Sequence, residues 1–266
     1  MLEIQGVRVV YPNGYQALAS VDMTARNGEI VALIGRSGAG KSTLLRTING
    51  LQRVTEGRIL LDGKDTSAMV GNDLQDLRRS VGFVWQEFNL VDRLPVLDNV
   101  LCGRLGYNRG VASLFRYFSS ADREIAVRSL ERVNLVHRAT NRADRLSGGE
   151  KQRVAIARAL AQQPRVLLAD EPVASLDVEL SWHVMSDLVR VARDEGVPTI
   201  LSIHQVDLAT AFADRIVGIA QGRVVFDGTP ETLTEDALDR IYRFDVPAEL
   251  RAMRRRETAP REAVAV

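Results

Sequence analysis

The 266-residue chain is 45% hydrophobic and 26% charged with a formal net charge of +1, an ordinary globular balance with core enough for one large domain or two closely joined ones. That balance gives no general reason to expect nucleic acid or an acidic surface as partner. The single cysteine, Cys102, rules out an intrachain disulfide and points to a reducing compartment; Met1-Leu2-Glu3-Ile4 carries no sign of a secretion leader, and no run approaches the ~18 apolar residues of a bilayer span.

Residues 2–10 and 18–24 read as two strands around the turn Tyr11-Pro12-Asn13-Gly14. Tyr11 is a candidate platform for an adenine ring, since a flat aromatic face receives a base without demanding hydrogen bonds; turn packing is the alternative, and Tyr15 is the weaker rival for the same role. The apolar run Ile30–Ile34 then meets Gly35-Arg36-Ser37-Gly38-Ala39-Gly40-Lys41-Ser42-Thr43, followed by a helix-like segment, Leu44–Ile48. Strand, glycine-rich loop and helix form the context in which G-x-x-x-x-G-K-[ST] marks a phosphate-binding loop. Glycines let successive N–H groups turn toward one anion at the positive end of the helix. Lys41 is placed to reach the β- and γ-phosphates of a nucleotide, and the Ser42 hydroxyl to ligate Mg²⁺. Only three residues are lysines against 32 arginines, so a lysine here marks a place where a compact cation must enter a tight anion nest.

Further on, Glu56–Gly63 reads as a short strand entering an Asp-Gly turn, and Ser80–Trp85 as a strand ending at Gln86. Residues 87–162 lack strand signals and carry helical spacing (Ile125, Val127, Leu130, Val133, Leu135), so a helical subdomain is expected there, inserted between core segments 1–86 and 163–246. Within it Gly103–Phe118 is a loose segment; Phe115, Arg116, Tyr117 and Phe118 are either a partner surface or local packing. From Arg165 the α/β rhythm resumes with buried strands at Val166–Ala169 and Pro198–Ile203, a helix at about 179–195, and a hairpin turning at Ala220-Gln221-Gly222. Beyond about 230 the pattern is helical, and residues 247–266, with Arg254-Arg255-Arg256, form a charged tail.

Two further stretches carry chemistry. Asp170-Glu171 ends a buried strand, where open α/β sheets bind ligands; Asp170 is placed to hold Mg²⁺ opposite Ser42, and Glu171 to polarise an attacking water as general base. Ser147-Gly148-Gly149 opens a strongly periodic helix and offers a second anion site of exposed N–H groups and a hydroxyl; a simple N-cap with flexible glycines is the alternative.

With GRSGAGKST at 35–43, Gln86, LSGGEKQR at 146–153, VLLADEP at 166–172, SLD at 175–177 and His204, the chain resembles the ATP-binding subunits of ABC transporters across about residues 2–230. Glu150 stands where glutamine is commoner, and Val178 where many relatives have proline. The resemblance implies an α/β P-loop fold of ABC type, with a mostly parallel sheet, an N-terminal antiparallel part and the inserted helical subdomain. It also implies that Gln86 senses Mg²⁺ and the attacking water, that Glu171 is the catalytic base, that Asp177 communicates between protomers and that His204 contacts the γ-phosphate. The expected assembly is a homodimer with ATP sandwiched between Lys41 and its loop on one copy and Ser147-Gly148-Gly149 on the other. Such a subunit is peripheral on the cytoplasmic face of the cell (inner) membrane and works with membrane permease subunits, not nucleic acid. The segments EPVASLD at 171–177, HQVD at 204–207 and NVLCGRLGY at 99–107 are similar to the phosphonate-import branch of that family, which implies an extracytoplasmic phosphonate-binding protein upstream of the permease. The same engine with other cargo (amino acids, methionine, lipoproteins or a phosphate-like anion), a soluble ABC ATPase, and a P-loop kinase or GTPase are the alternatives.

Overall fold

The computed structural model describes residues 1–107 and 118–242. The expectations for Phe115, Arg116, Tyr117 and the 247–266 tail lie outside the described residues. The strands are β1 (Leu2–Val10), β2 (Gln16–Ala25), β3 (Ile30–Ile34), β4 (Glu56–Leu61), β5 (Lys64–Asp65), β6 (Val81–Val84), β7 (Val166–Asp170), β8 (Thr199–Ser202), β9 (Arg215–Ala220) and β10 (Arg223–Gly228). The helices are α1 (Lys41–Ile48), α2 (Gly71–Ser80), α3 (Val96–Leu101), α4 (Ser120–Arg132), α5 (Gly148–Leu160), α6 (Val178–Glu195), α7 (Val206–Phe212) and α8 (Glu235–Tyr242).

The strands form one sheet of order β5-β4-β1-β2-β10-β9-β3-β8-β7-β6. Its two halves follow from their sequences. β3, β6, β7 and β8 are buried at every position and apolar except for the ends Asp170, Thr199 and Ser202; they pair in parallel, and parallel sheets are ones covered on both faces. β1, β2, β4 and β5 pair antiparallel, and β1 and β2 alternate buried with part-exposed residues over much of their length. The single pair Arg223–Ser20 joins this part to the β9–β10 hairpin. Gln221 and Gly222, at φ 49° and 71°, make that hairpin's turn, and Asp62 and Gly63, at 49° and 78°, make the one between β4 and β5.

Between residues 87 and 162 the described chain is helical, with an isolated antiparallel bridge between Pro95 and Arg142. Among the described residues the helical segment has no core of its own: Val100, Leu101 and Leu130 belong to the same buried cluster as Ile34 of β3 and Ala169 of β7. Phe118 lies in that cluster at 8% exposure, so of its two readings local packing is the one realised.

The 99–107 stretch is mostly internal. Asn99 accepts from the N–H of Val91 at 2.7 Å and donates to the carbonyl of Val91 at 3.1 Å. Arg104, 7% exposed, donates to Asp122 Oδ1 at 2.9 Å, to the Ala161 carbonyl at 3.0 Å and to Gln163 Oε1 at 3.2 Å, and its guanidinium lies 3.8 Å from the Tyr107 ring centre. Burial pushes the Asp122 carboxyl up, but the Arg104 and Ser119 hydrogen bonds outweigh it and hold the group below its ordinary 3.8. The pair's stabilisation is therefore complete above about pH 4 and is lost as pH falls through that lowered value. Arg104→Ala removes the cationic partner of a buried carboxylate and leaves it only the Ser119 hydrogen bonds, and a loss of about 3 kcal/mol is expected in urea unfolding at neutral pH. An Arg104→Ala protein as stable as the parent would contradict this account of the segment.

Candidate nucleotide site

The phosphate loop takes its shape from two glycines. A Cβ on Gly35 would lie 2.2 Å from the Ile219 carbonyl oxygen of β9, so the loop hugs the sheet where only hydrogen fits. Gly40, at φ 112°, caps α1 in a left-handed conformation with a Cβ position 2.7 Å from the Ala17 carbonyl. Lys41 is 4% exposed, and its ammonium donates to the carbonyls of Gly35 at 2.8 Å and Arg36 at 3.1 Å. Burial lowers its pKa from 10.5, while the carboxylates of Glu171 and Asp170 pull the other way. The cation thus sits inside its own loop, facing two acidic groups.

Those acidic groups end β7. Asp170, 4% exposed, accepts from the Ser42 hydroxyl at 2.8 Å, which joins the first turn of α1 to β7, two strands away from β3 in the sheet. Glu171 follows at φ 49°, a left-handed conformation uncommon for a side chain of this size, and its N–H donates to the Ser202 carbonyl at 3.1 Å. Its Oε1 lies 2.5 Å from His204 Nε2. The turn separates the two carboxylates: one is pinned under the loop by Ser42, the other is directed to the residue just beyond β8.

The structure thus brings together Lys41, Ser42, Asp170, Glu171 and His204. Gln86 is exposed two residues beyond the end of β6, after Trp85. The segment behind it is tied to α5, because the Arg158 guanidinium donates to the carbonyls of Phe88 (2.9 Å) and Asn89. Tyr11 and Tyr15 stack with centroids 6.2 Å apart and planes at 14°. The Tyr11 hydroxyl is 3.3 Å from Thr43 Oγ1, and the Tyr15 hydroxyl donates to the Gly38 carbonyl at 3.4 Å, so both rings border the loop. Tyr15, 54% exposed, also lines a cleft of about 380 Å³ with Arg36, Ser37, Gly38, Ala39 and the Gln221-Gly222 turn. That cleft takes in the first half of the loop and not Lys41, Ser42, Asp170 or Glu171.

Two predicted groups are engaged elsewhere. Ser147 caps α5: its hydroxyl accepts from the Glu150 N–H at 3.3 Å while Glu150 Oε2 accepts from the Ser147 N–H at 2.9 Å, a reciprocal capping box. Gly149 packs against Leu180, where a Cβ would come within 2.5 Å, and Gly148 faces Leu176. Asp177 caps α6 by accepting from the Leu180 N–H at 2.8 Å. Sequence reasoning missed the Arg158 tie and the pairing of Arg138 Nε with Glu150 Oε1 at 3.0 Å, because nothing in the local spacing of a helical arginine announces its distant acceptor.

Strand, glycine loop, helix and an acidic strand end against the same loop define a P-loop nucleotide-binding fold. The family description "ABC transporter" matches residues 18–174. The phosphonates import ATP-binding protein PhnC of Bacillus cereus (strain ZK / E33L) is 46% identical over 91% of this chain and 94% of its own length. The protein of the same name from Thiobacillus denitrificans is 49% identical over 91% of this chain and 92% of its own length. Among solved structures, the dimeric ATP-binding cassette MJ0796 bound to ADP and Pi superposes with a TM-score of 0.74 at 33% identity, covering 86% of this chain and 99% of that one. The ADP form of the cassette MJ1267, at 24% identity, shares the fold with a TM-score of 0.80 over 91% of this chain and 96% of that one. The chain belongs to the ABC transporter family.

Proposed function

We propose that this chain is the ATP-hydrolysing subunit of a phosphonate importer, peripheral on the cytoplasmic face of the cell membrane. Two copies sandwich two ATP molecules and drive a membrane permease supplied by an extracytoplasmic phosphonate-binding protein. The observation that carries the reading is the 46–49% identity to proteins named as phosphonate-import subunits, which extends over 91% of the chain. The described helices between residues 87 and 162 belong to the subdomain that meets the permease, and the described parts of segments 1–86 and 163–246 to the ATPase core.

The residues divide the work of phosphoryl transfer, which needs positioning and charge stabilisation more than covalent chemistry. Tyr11 receives the adenine face. The backbone of Gly35–Thr43 cradles the phosphates, and Lys41 meets the β- and γ-oxygens. Ser42 Oγ and Asp170 Oδ1, 2.8 Å apart, are hard oxygen donors that fit Mg²⁺, with Gln86 completing the sensing of the metal and water. Mg²⁺ held by Ser42 and Asp170 would supply neutralisation of charge on the phosphoryl oxygens. Glu171 takes the proton of the attacking water, and His204, 2.5 Å from it, orients the carboxylate and reaches the γ-phosphate. Ser147, Gly148 and Gly149 of a second copy close over the same γ-phosphate, and Asp177 carries the state of one site to the other.

Growth of the host on a phosphonate as sole phosphorus source tests the cargo. Deletion of the gene is expected to abolish that growth while sparing growth on phosphate, and the wild-type gene, but not Glu171→Gln, to restore it. Unimpaired growth on the phosphonate, with loss of methionine or amino-acid uptake instead, would overturn the reading.

A further inference from the structure

Glu150 places a full negative charge on the turn that the proposed function directs at a phosphate. Its carboxylate has two partners: Oε2 accepts from the Ser147 N–H at 2.9 Å and Oε1 from Arg138 Nε at 3.0 Å. Burial pushes the carboxyl up, but the Ser147 and Arg138 hydrogen bonds win and hold it below its ordinary 4.5, so the group is ionised at neutral pH. A carboxylate in the first turn of α5 suits the helix dipole and the capping box. It does not suit an approaching polyanion, for which the same charge is repulsive over several ångströms.

Arg138 supplies the offset. It ends the short 3₁₀ turn Val136–Arg138, whose backbone is fixed by Arg138 N–H donating to the Leu135 carbonyl at 3.0 Å and by the Asn141 N–H donating to the Arg138 carbonyl at 2.8 Å. Arg142, the next arginine toward the helix, is committed to Asp144. We infer that Arg138 is a positioning residue for ATP-driven closure: its guanidinium neutralises Glu150 so that the Ser147-Gly148-Gly149 turn can approach the γ-phosphate held by a second copy of the chain. The inference rests on the dimer of the proposed function. It makes the glutamate and the arginine a matched pair, the charge of one tolerable only with the other in place.

A double-mutant cycle separates this from a merely structural role. Arg138→Ala, Glu150→Gln and the double variant are each made in a Glu171→Gln background so that ATP is retained, and dimerisation is followed by sedimentation velocity against ATP with Mg²⁺. Glutamine keeps the capping box, since its amide oxygen also accepts from the Ser147 N–H. Arg138→Ala is expected to raise the ATP concentration for half-dimerisation roughly tenfold at low salt and less at high salt, but no more than about twofold when Glu150→Gln is also present. Arg138→Lys keeps the charge and is expected within about threefold of the parent, which covers the case in which Arg138→Ala fails to fold. An equal effect of Arg138→Ala in both backgrounds, or none in either, overturns the inference and leaves the dimer standing. A Glu171→Gln parent that stays monomeric at saturating ATP overturns the dimer reading and the inference with it.

Discussion

Glu171→Gln is expected to lower the rate of ATP hydrolysis by about 10²–10⁴-fold while ATP affinity stays within about twofold. The reason lies in the separation of the two carboxylates at the end of β7. Asp170 is held beneath the phosphate loop by the Ser42 hydroxyl at 2.8 Å, so it is tied to the binding half of the site. Glu171, turned away by its left-handed backbone at φ 49°, faces His204 instead. Glutamine is isosteric and preserves the shape of the site but cannot accept the water's proton. Single-turnover hydrolysis in the assembled complex gives the rate, and equilibrium titration gives the affinity. Hydrolysis within a few-fold of the parent would remove Glu171 from the role of base.

Lys41→Ala has the second large effect, and it falls on binding. Charge-assisted contacts to phosphate oxygens contribute roughly 1.5–3 kcal/mol, so ATP affinity is expected to drop about 10- to 100-fold, with loss of the thermal stabilisation that ATP gives the parent. The pH dependence has a definite sign. Burial lowers the lysine's pKa from 10.5, so ATP affinity in the parent falls as pH rises through that lowered value, and the alanine variant loses this dependence. An ATP-induced shift in Tm that survives in Lys41→Ala would place the phosphates elsewhere.

The parallel core was legible in the sequence because its strands are continuous apolar runs. Ile30–Ile34 and Val166–Ala169 are short apolar runs buried throughout, and Ile200-Leu201 continue the pattern between the buried polar ends Thr199 and Ser202, so shortness and flanking turn residues, not period, mark them as strands. The phosphate loop was legible for a different reason, since Gly35 and Gly40 occupy positions where a side chain would collide with Ile219 or Ala17, and Gly38 sits at φ 79°, which favours glycine. Helix α2 escaped notice: Leu77 is its one buried residue among those described, so its sequence shows almost no apolar stripe. Helix α7 has seven residues, too few to display a period.

The site was legible as a set of residue types and not as a geometry. Nothing in the order of Asp170 and Glu171 announces that the chain turns left-handed between their functions. The N-cap was the alternative reading of Ser147 and the structure shows it made; for Asp177, read only for its link to a partner, the structure adds that it too caps a helix. That capping fixes the helix ends in place and lets Gly149 press against Leu180. Arg104, Arg138 and Arg158 illustrate the limit most clearly. In a chain that contains 32 arginines, which of them bridge segments is decided by tertiary approach, as with Arg104 and Asp122, 18 residues apart, or Arg158 and Phe88, 70 residues apart.

The central claim is that Gly35–Thr43 is half of a hydrolytic site and that a second copy supplies the other half. Specific ATPase activity measured against protein concentration tests it most directly, across the range in which sedimentation shows monomer passing to dimer. The account predicts specific activity that rises with concentration in step with the dimer fraction. Full specific activity, unchanged with dilution, in a strictly monomeric preparation would contradict it.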